Sequence, residues 1–168
     1  IQEVHDDLKI SRPMNRLIQG DVGCGKTIVA ILVSSLTVGN NRQVAVMAPT
    51  EILARQHYLS FKNEFDKVNI PCCLLVGKMK KTERATILKG LKEGKISVVV
   101  GTHALIQEDV EFNSLGLVII DEQHRFGVNQ RLKLQEKGDN PHLMSMTATP
   151  IPRLSLIHIS EPTRLVSI

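Results

Sequence analysis

Tryptophan is absent from the 168 residues, tyrosine occurs once and phenylalanine four times. So few rings argue against an aromatic platform for stacking single-stranded bases as the main binding device. Cysteine is scarce too. Cys24, Cys72 and Cys73 make an odd count, no C-x-x-C pair occurs, and no Cys/His group has zinc-finger spacing. The absence of such a framework points to a reducing, cytoplasmic setting without structural disulfides. No apolar run reaches the length of a membrane span, and no secretory leader pattern opens the chain. Repeats and low-complexity tracts are lacking as well. Charge of one sign is only mildly in excess, with a formal net charge of +4. That bias permits contact with nucleic-acid phosphates without demanding it. The chain does not begin with Met, which is expected of a piece of a longer protein.

What is present is an alternation. The length fits one domain and allows about two-thirds of the unfolded surface to be buried. Residues 1–9 read as a helix, Arg16–Gln19 as a strand, and Thr27–Thr37 as an apolar helix. Gln43–Ala48 reads as a strand, Thr50–Asp66 as an amphipathic helix, Cys72–Val76 as a strand and Thr82–Glu93 as a helix. Strands follow at Ile96–Val100, Leu117–Ile120 and His142–Met146. Strands alternating with helices predict an α/β fold: a mostly parallel sheet with helices on both faces. Continuous apolar runs such as "ISVVV" and "LVII" fit strands covered on both sides. Ligands of such sheets bind beyond the carboxyl ends of the strands, so chemistry is to be sought there.

"GDVGCGKT", Gly20 to Thr27, satisfies the phosphate-loop pattern G-x-x-x-x-G-K-[ST]. Average composition produces that pattern by chance in roughly 0.5% of chains this long. A strand precedes it and an apolar helix follows, as the mechanism requires. The loop residues Gly20, Asp21, Gly23, Cys24 and Gly25 would turn backbone N–H groups toward a phosphate, and the helix start adds its positive end. Lys26 would reach the β- and γ-phosphates, and Thr27 would offer its hydroxyl to Mg²⁺. Cys24 is read as a small residue that fits the turn, since no partner for redox chemistry is evident.

"GLVIIDEQHRFG", Gly116 to Gly127, ends a buried strand in two acids, an amide and a histidine. A triphosphate with magnesium needs one carboxylate near the metal and another near the attacking water. Asp121 suits the first task and Glu122 the second. Neighbouring strand residues face opposite ways, so the two can divide the work only where the strand ends and the backbone turns. Gln123 and His124 are placed to sense the γ-phosphate. The plain alternative is a solvated acidic turn.

"GDVGCGKT", "APTEILARQHY", "VVVGTHALIQ", "DEQHRFGVNQR" and "MTATPIPR" stand in the order of the superfamily 2 helicase motifs. Their wording resembles the RecG family of bacterial ATP-dependent branch-migration helicases, with Mfd-type transcription-repair translocases as the nearest alternative. Mfd-like sequences usually read "DEEH" where Gln123 stands here. The likeness spans residues 1–153. It implies a RecA-like P-loop NTPase domain that uses ATP and Mg²⁺ to drive movement on branched duplex DNA, at forks and Holliday junctions. It further implies that Thr147 and Thr149 link nucleotide state to DNA grip. Thr50, Arg55, Thr102 and His103 would then lie near the DNA backbone. Hydroxyls and Arg at strand-end loops suit phosphate contacts, which position without reading sequence. Thr50 could equally be a helix N-cap. His57 and Tyr58 are read as packing residues.

The resemblance also implies missing parts: an adenine-contacting element before residue 1, a wedge domain, and a second RecA-like domain with its arginine finger. This segment alone is therefore expected to bind ATP weakly and to turn over little. Past Arg153 the wording departs. "LSLIHISEPTRLVSI", residues 154–168, resembles translated sequencing adaptor and is read as non-native. A genuine divergent segment with a strand at Leu156–Ile159 is the alternative. Two other functions stay open: a different P-loop class, such as a small-molecule kinase, and a nucleic-acid-binding module with a relic nucleotide site.

Overall fold

The computed structural model describes residues 13–20, 25–148 and 164–167. The helix expected at residues 1–9 and the alternative strand at Leu156–Ile159 lie outside them. The strands are β1 (Asn15–Gln19), β2 (Gln43–Met47), β3 (Cys72–Leu75), β4 (Val98–Gly101), β5 (Leu115–Asp121), β6 (His142–Thr147) and β7 (Arg164–Ser167). The helices are α1 (Lys26–Gly39), α2 (Glu51–Phe65), α3 (Lys81–Lys92) and α4 (Val128–Gln135). One sheet holds all seven strands in the order β3-β4-β2-β5-β6-β1-β7. Every described pairing is parallel. The expected parallel α/β sheet is therefore the observed one.

Two cores explain the unbroken apolar runs. Val44 and Val46 of β2 face one way, with Val98, Val100, Leu117 and Ile119, against Ala30 and Val33 of α1 and Phe61 and Phe65 of α2. Ala45 and Met47 face the other way, with Val99, Val118 and Ile120, against Ile87 and Leu91 of α3 and Leu134 of α4. Alternate residues thus serve opposite faces, and both faces are dry. Phe61 and Phe65, one helical turn apart, meet edge to face with centroids 5.7 Å apart.

The expected boundaries hold to within about two residues. The helix α4 had no expected counterpart. The tail was expected to be non-native. Its Arg164–Ser167 backbone pairs in parallel with β1, Arg16 opposite Arg164 and Gln19 opposite Ser167, at the sheet's edge.

The starts of three strands are tied by one amide. Gln43, 4% exposed, donates through Nε2 to Leu91 O (2.9 Å) and Ile96 O (2.8 Å). Its Oε1 accepts from Ser114 N at 2.8 Å. These bonds fix the end of α3 and the approaches to β4 and β5, so the opposite, carboxyl ends of those strands are left free to carry loops.

Candidate active site

The first residue after β1 and the first after β5 are fastened to one strand. Gly20 donates its N–H to Thr147 O at 3.2 Å, and Glu122 donates its own to Met146 O at 2.8 Å. Both acceptors end β6, which lies between β1 and β5 in the sheet. Adjacent strands lie about 4.8 Å apart. The phosphate-loop start and the acidic tip are thus two strand spacings apart at the same sheet edge.

On the loop side, Gly25 caps α1 with φ 87° and ψ 15°, a left-handed conformation that glycine adopts without steric cost. Lys26 opens the helix and its ammonium donates to Gly20 O at 2.5 Å. Thr27 follows as the second helical residue, half-buried. The first turn of α1 carries no acid, so nothing there competes with a bound anion for the helix's positive end. Asp21, Gly23 and Cys24 lie outside the described residues, as does Thr149.

The acidic tip divides as its sequence predicts. Asp121 is the last residue of β5 and is 7% exposed. Glu122 turns off the strand with φ 49° and ψ 56°. A left-handed conformation at a residue with a side chain is uncommon and gathers at functional sites. That single turn releases the second carboxylate from the strand's alternation. Glu122 accepts from Thr147 Oγ1 and from Ala148 N, each at 3.4 Å, and His124 Nδ1 stands 3.5 Å away. Glu122 and Thr147, expected to act on water and on coupling, are thus neighbours. Gln123 accepts through Oε1 from Arg131 Nη1 at 3.2 Å. Burial holds the Arg131 guanidinium below its ordinary value.

Asp121 has a partner that sequence reasoning missed. Its Oδ2 lies 2.7 Å from His57 Nε2 on α2. His57 was expected merely to pack. It sits on the inward stripe with Ala54 and Phe61, three residues after one and four before the other. A contact between residues 64 positions apart has no local signature. The only available hint was that a histidine stood where the helical period called for an apolar residue.

The expected nucleic-acid residues flank this edge unevenly. Thr50 is exposed and caps α2, its hydroxyl accepting from Leu53 N at 3.3 Å. Arg55 holds Glu51 Oε1 through Nε (3.1 Å) and Nη2 (2.8 Å). It also lines a groove of about 430 Å³ together with Lys78 and Lys80. Thr102 is buried at 5% exposure, so of that pair only His103 presents its side chain to solvent.

These residues suit magnesium with a triphosphate. No group of three or more His, Cys, Asp or Glu side chains that could hold a metal occurs among the described residues. Magnesium bound with a nucleotide needs no such cage, because one or two carboxylates and the phosphates suffice. Asp121 and Thr27 are that kind of donor set. Among the described residues no helix is long and apolar enough to cross a membrane.

Comparison with known proteins agrees with this geometry. The model of the DEAD/DEAH box helicase family matches residues 3–157. The chain is 54% identical over 156 residues to the ATP-dependent DNA helicase RecG of Pasteurella multocida, covering 90% of this chain and 22% of that protein. It is 55% identical over 161 residues to RecG of Aquifex aeolicus, covering 95% and 20%. A solved structure of RecG bound to a three-way DNA junction superposes with a TM-score of 0.81 at 50% identity, covering 93% of this chain and 21% of that one. The chain thus spans about a fifth of the length of the curated relatives it matches.

Proposed function

The chain belongs to the DEAD/DEAH box helicase family, and from that premise we propose that it is the ATP-binding motor lobe of a cytoplasmic RecG-type helicase. In the whole protein this lobe couples ATP hydrolysis to movement on branched duplex DNA, and so to branch migration at stalled forks and Holliday junctions. The observation that carries the reading is the fastening of Gly20 and Glu122 to consecutive residues of β6. Gly20, where the expected phosphate loop begins, and the two acids stand on one edge of one sheet, which supports this reading.

Lys26 and the N–H groups at the start of α1 bind the triphosphate tail. Thr27 and Asp121 are the protein-side holders of magnesium, which when bound offsets charge on the phosphates. Glu122 orients the attacking water and takes up its proton. Gln123 and His124 stand beside Glu122 where the γ-phosphate's loss is sensed. Thr147, hydrogen-bonded to Glu122, carries that change to β6 and on toward Thr149. Thr50, Arg55 and His103, with Thr102 supporting its loop, meet the DNA backbone. The Lys78 and Lys80 groove beside Arg55 supplies further positive charge without sequence preference. A wedge and a second RecA-like domain complete the machine.

The test is ATP hydrolysis by the full-length protein with branched and with linear duplex DNA. Branched DNA should stimulate hydrolysis strongly, while the 168-residue chain alone turns over little. Hydrolysis indifferent to any DNA in the full-length protein would remove the motor reading.

A further inference from the structure

We propose that His57 is a positioning residue for the magnesium-side carboxylate, fixing Asp121 so that one oxygen is held by the protein and the other is left for the metal. The inference rests on the nucleotide-site reading above and deepens it. The Nε2 of His57 lies 2.7 Å from Asp121 Oδ2, and the two side chains are 14% and 10% exposed. An ionised carboxylate only accepts, so the ring's Nε2 carries the proton in this contact. The other oxygen, Oδ1, takes no hydrogen bond from any described residue. Among the described residues the carboxylate is therefore clamped at one corner.

A satisfied core histidine would be the plainer account, but the partner is the wrong kind for it. Asp121 ends β5, and its backbone is already placed by the pairing of β5 with β6, Asp121 opposite Met146. The contact thus adds little to the strand's position and much to the rotamer of one side chain. Its other end is well anchored. The helix α2 is capped by Thr50 and buries Ala54, Phe61 and Phe65 on the same stripe as His57. A donor held that firmly restricts the carboxylate, and outer partners of metal-holding carboxylates commonly govern metal affinity.

The readout is binding of a fluorescent ATP analogue to the full-length protein, titrated with magnesium and repeated without it. His57→Ala should raise the magnesium concentration for half-saturation about tenfold or more. Metal-free nucleotide binding should stay as in the unmodified protein, while the thermal unfolding midpoint should fall somewhat because the buried Asp121 carboxylate loses its donor. His57→Gln, which keeps an N–H donor at similar reach, should recover most of the loss. Unchanged magnesium dependence in His57→Ala would overturn the inference, and so would an equal loss with and without magnesium. Should His57→Ala fail to fold, His57→Gln set against His57→Met decides it, because only the donor should support tight magnesium binding. An unmodified protein that binds the analogue without any magnesium dependence overturns the nucleotide-site reading itself.

Discussion

Gly20 and Glu122 lean on the same strand, their N–H groups bonded to Thr147 O and Met146 O, consecutive carbonyls of β6. The end of β6 thus ties together the residue that follows β1 and the residue that follows Asp121. Thr147 adds a side-chain link by donating to Glu122.

Glu122→Gln in the full-length protein should lower ATP hydrolysis by about a hundredfold or more, the usual worth of a positioned general base. Binding of ATP should persist, because Lys26 and the helix start are untouched. Steady-state hydrolysis and equilibrium binding, measured side by side, check this. Hydrolysis at the unmodified rate would remove Glu122 from the chemistry.

Thr50 can be separated into its two possible roles. Thr50→Ala should lower stability by about 1 kcal/mol through loss of the cap on α2. Thr50→Asp should keep that cap but set a negative charge beside any DNA phosphate. Urea denaturation of both variants, with DNA affinity of the full-length protein, separates the effects. Unimpaired DNA binding by Thr50→Asp would place this residue away from the backbone.

Much of the fold was legible because parallel strands covered on both faces leave continuous apolar runs, as in β2 and β5. The division of Asp121 from Glu122 was legible for a similar reason: only a turn can free one of two neighbours from the strand's alternation. The helix α4 was not. Leu134 is its single buried residue, while Val128 and Leu132 are 60% and 46% exposed, so no apolar stripe marks it. The contact of His57 with Asp121 was hidden by its sequence separation. Burial of Thr102 was hidden by chemistry, since a hydroxyl in a strand-end loop reads as a surface group until the loop's packing is known.

Gln43→Leu should destabilise the chain by about 2–3 kcal/mol. The substitution orphans Ile96 O and Ser114 N, while Leu91 O keeps the N–H groups of Gly94 and Asn113, and unsatisfied buried groups cost more than the bonds they once made. Thermal or urea unfolding reads the loss. A change under about 0.5 kcal/mol, typical of surface substitutions, would show that the amide does not tie these approaches together.

Cys72 and Cys73 should resist alkylation at neutral pH. Both are free, and burial pushes the Cys72 thiol from 9.0 up to about 12 and the Cys73 thiol upward as well. Thiols react as thiolates, so peptide-resolved labelling by iodoacetamide should be slow until the chain unfolds. The sign of the linkage follows. The unfolded chain loses these protons first, so their contribution to stability is intact below the ordinary thiol value and is lost as pH climbs from about 9 toward 12. Both thiols are half-buried, and rapid labelling of both in the folded chain at pH 7 would contradict their raised values.

The most direct measurement is a crystal structure of the chain with magnesium and a non-hydrolysable ATP analogue. The triphosphate should lie on Lys26 and the start of α1, with magnesium between Thr27 and Asp121, reached directly or through one water. A nucleotide seated elsewhere, or a metal beyond that reach of Asp121, would contradict the account.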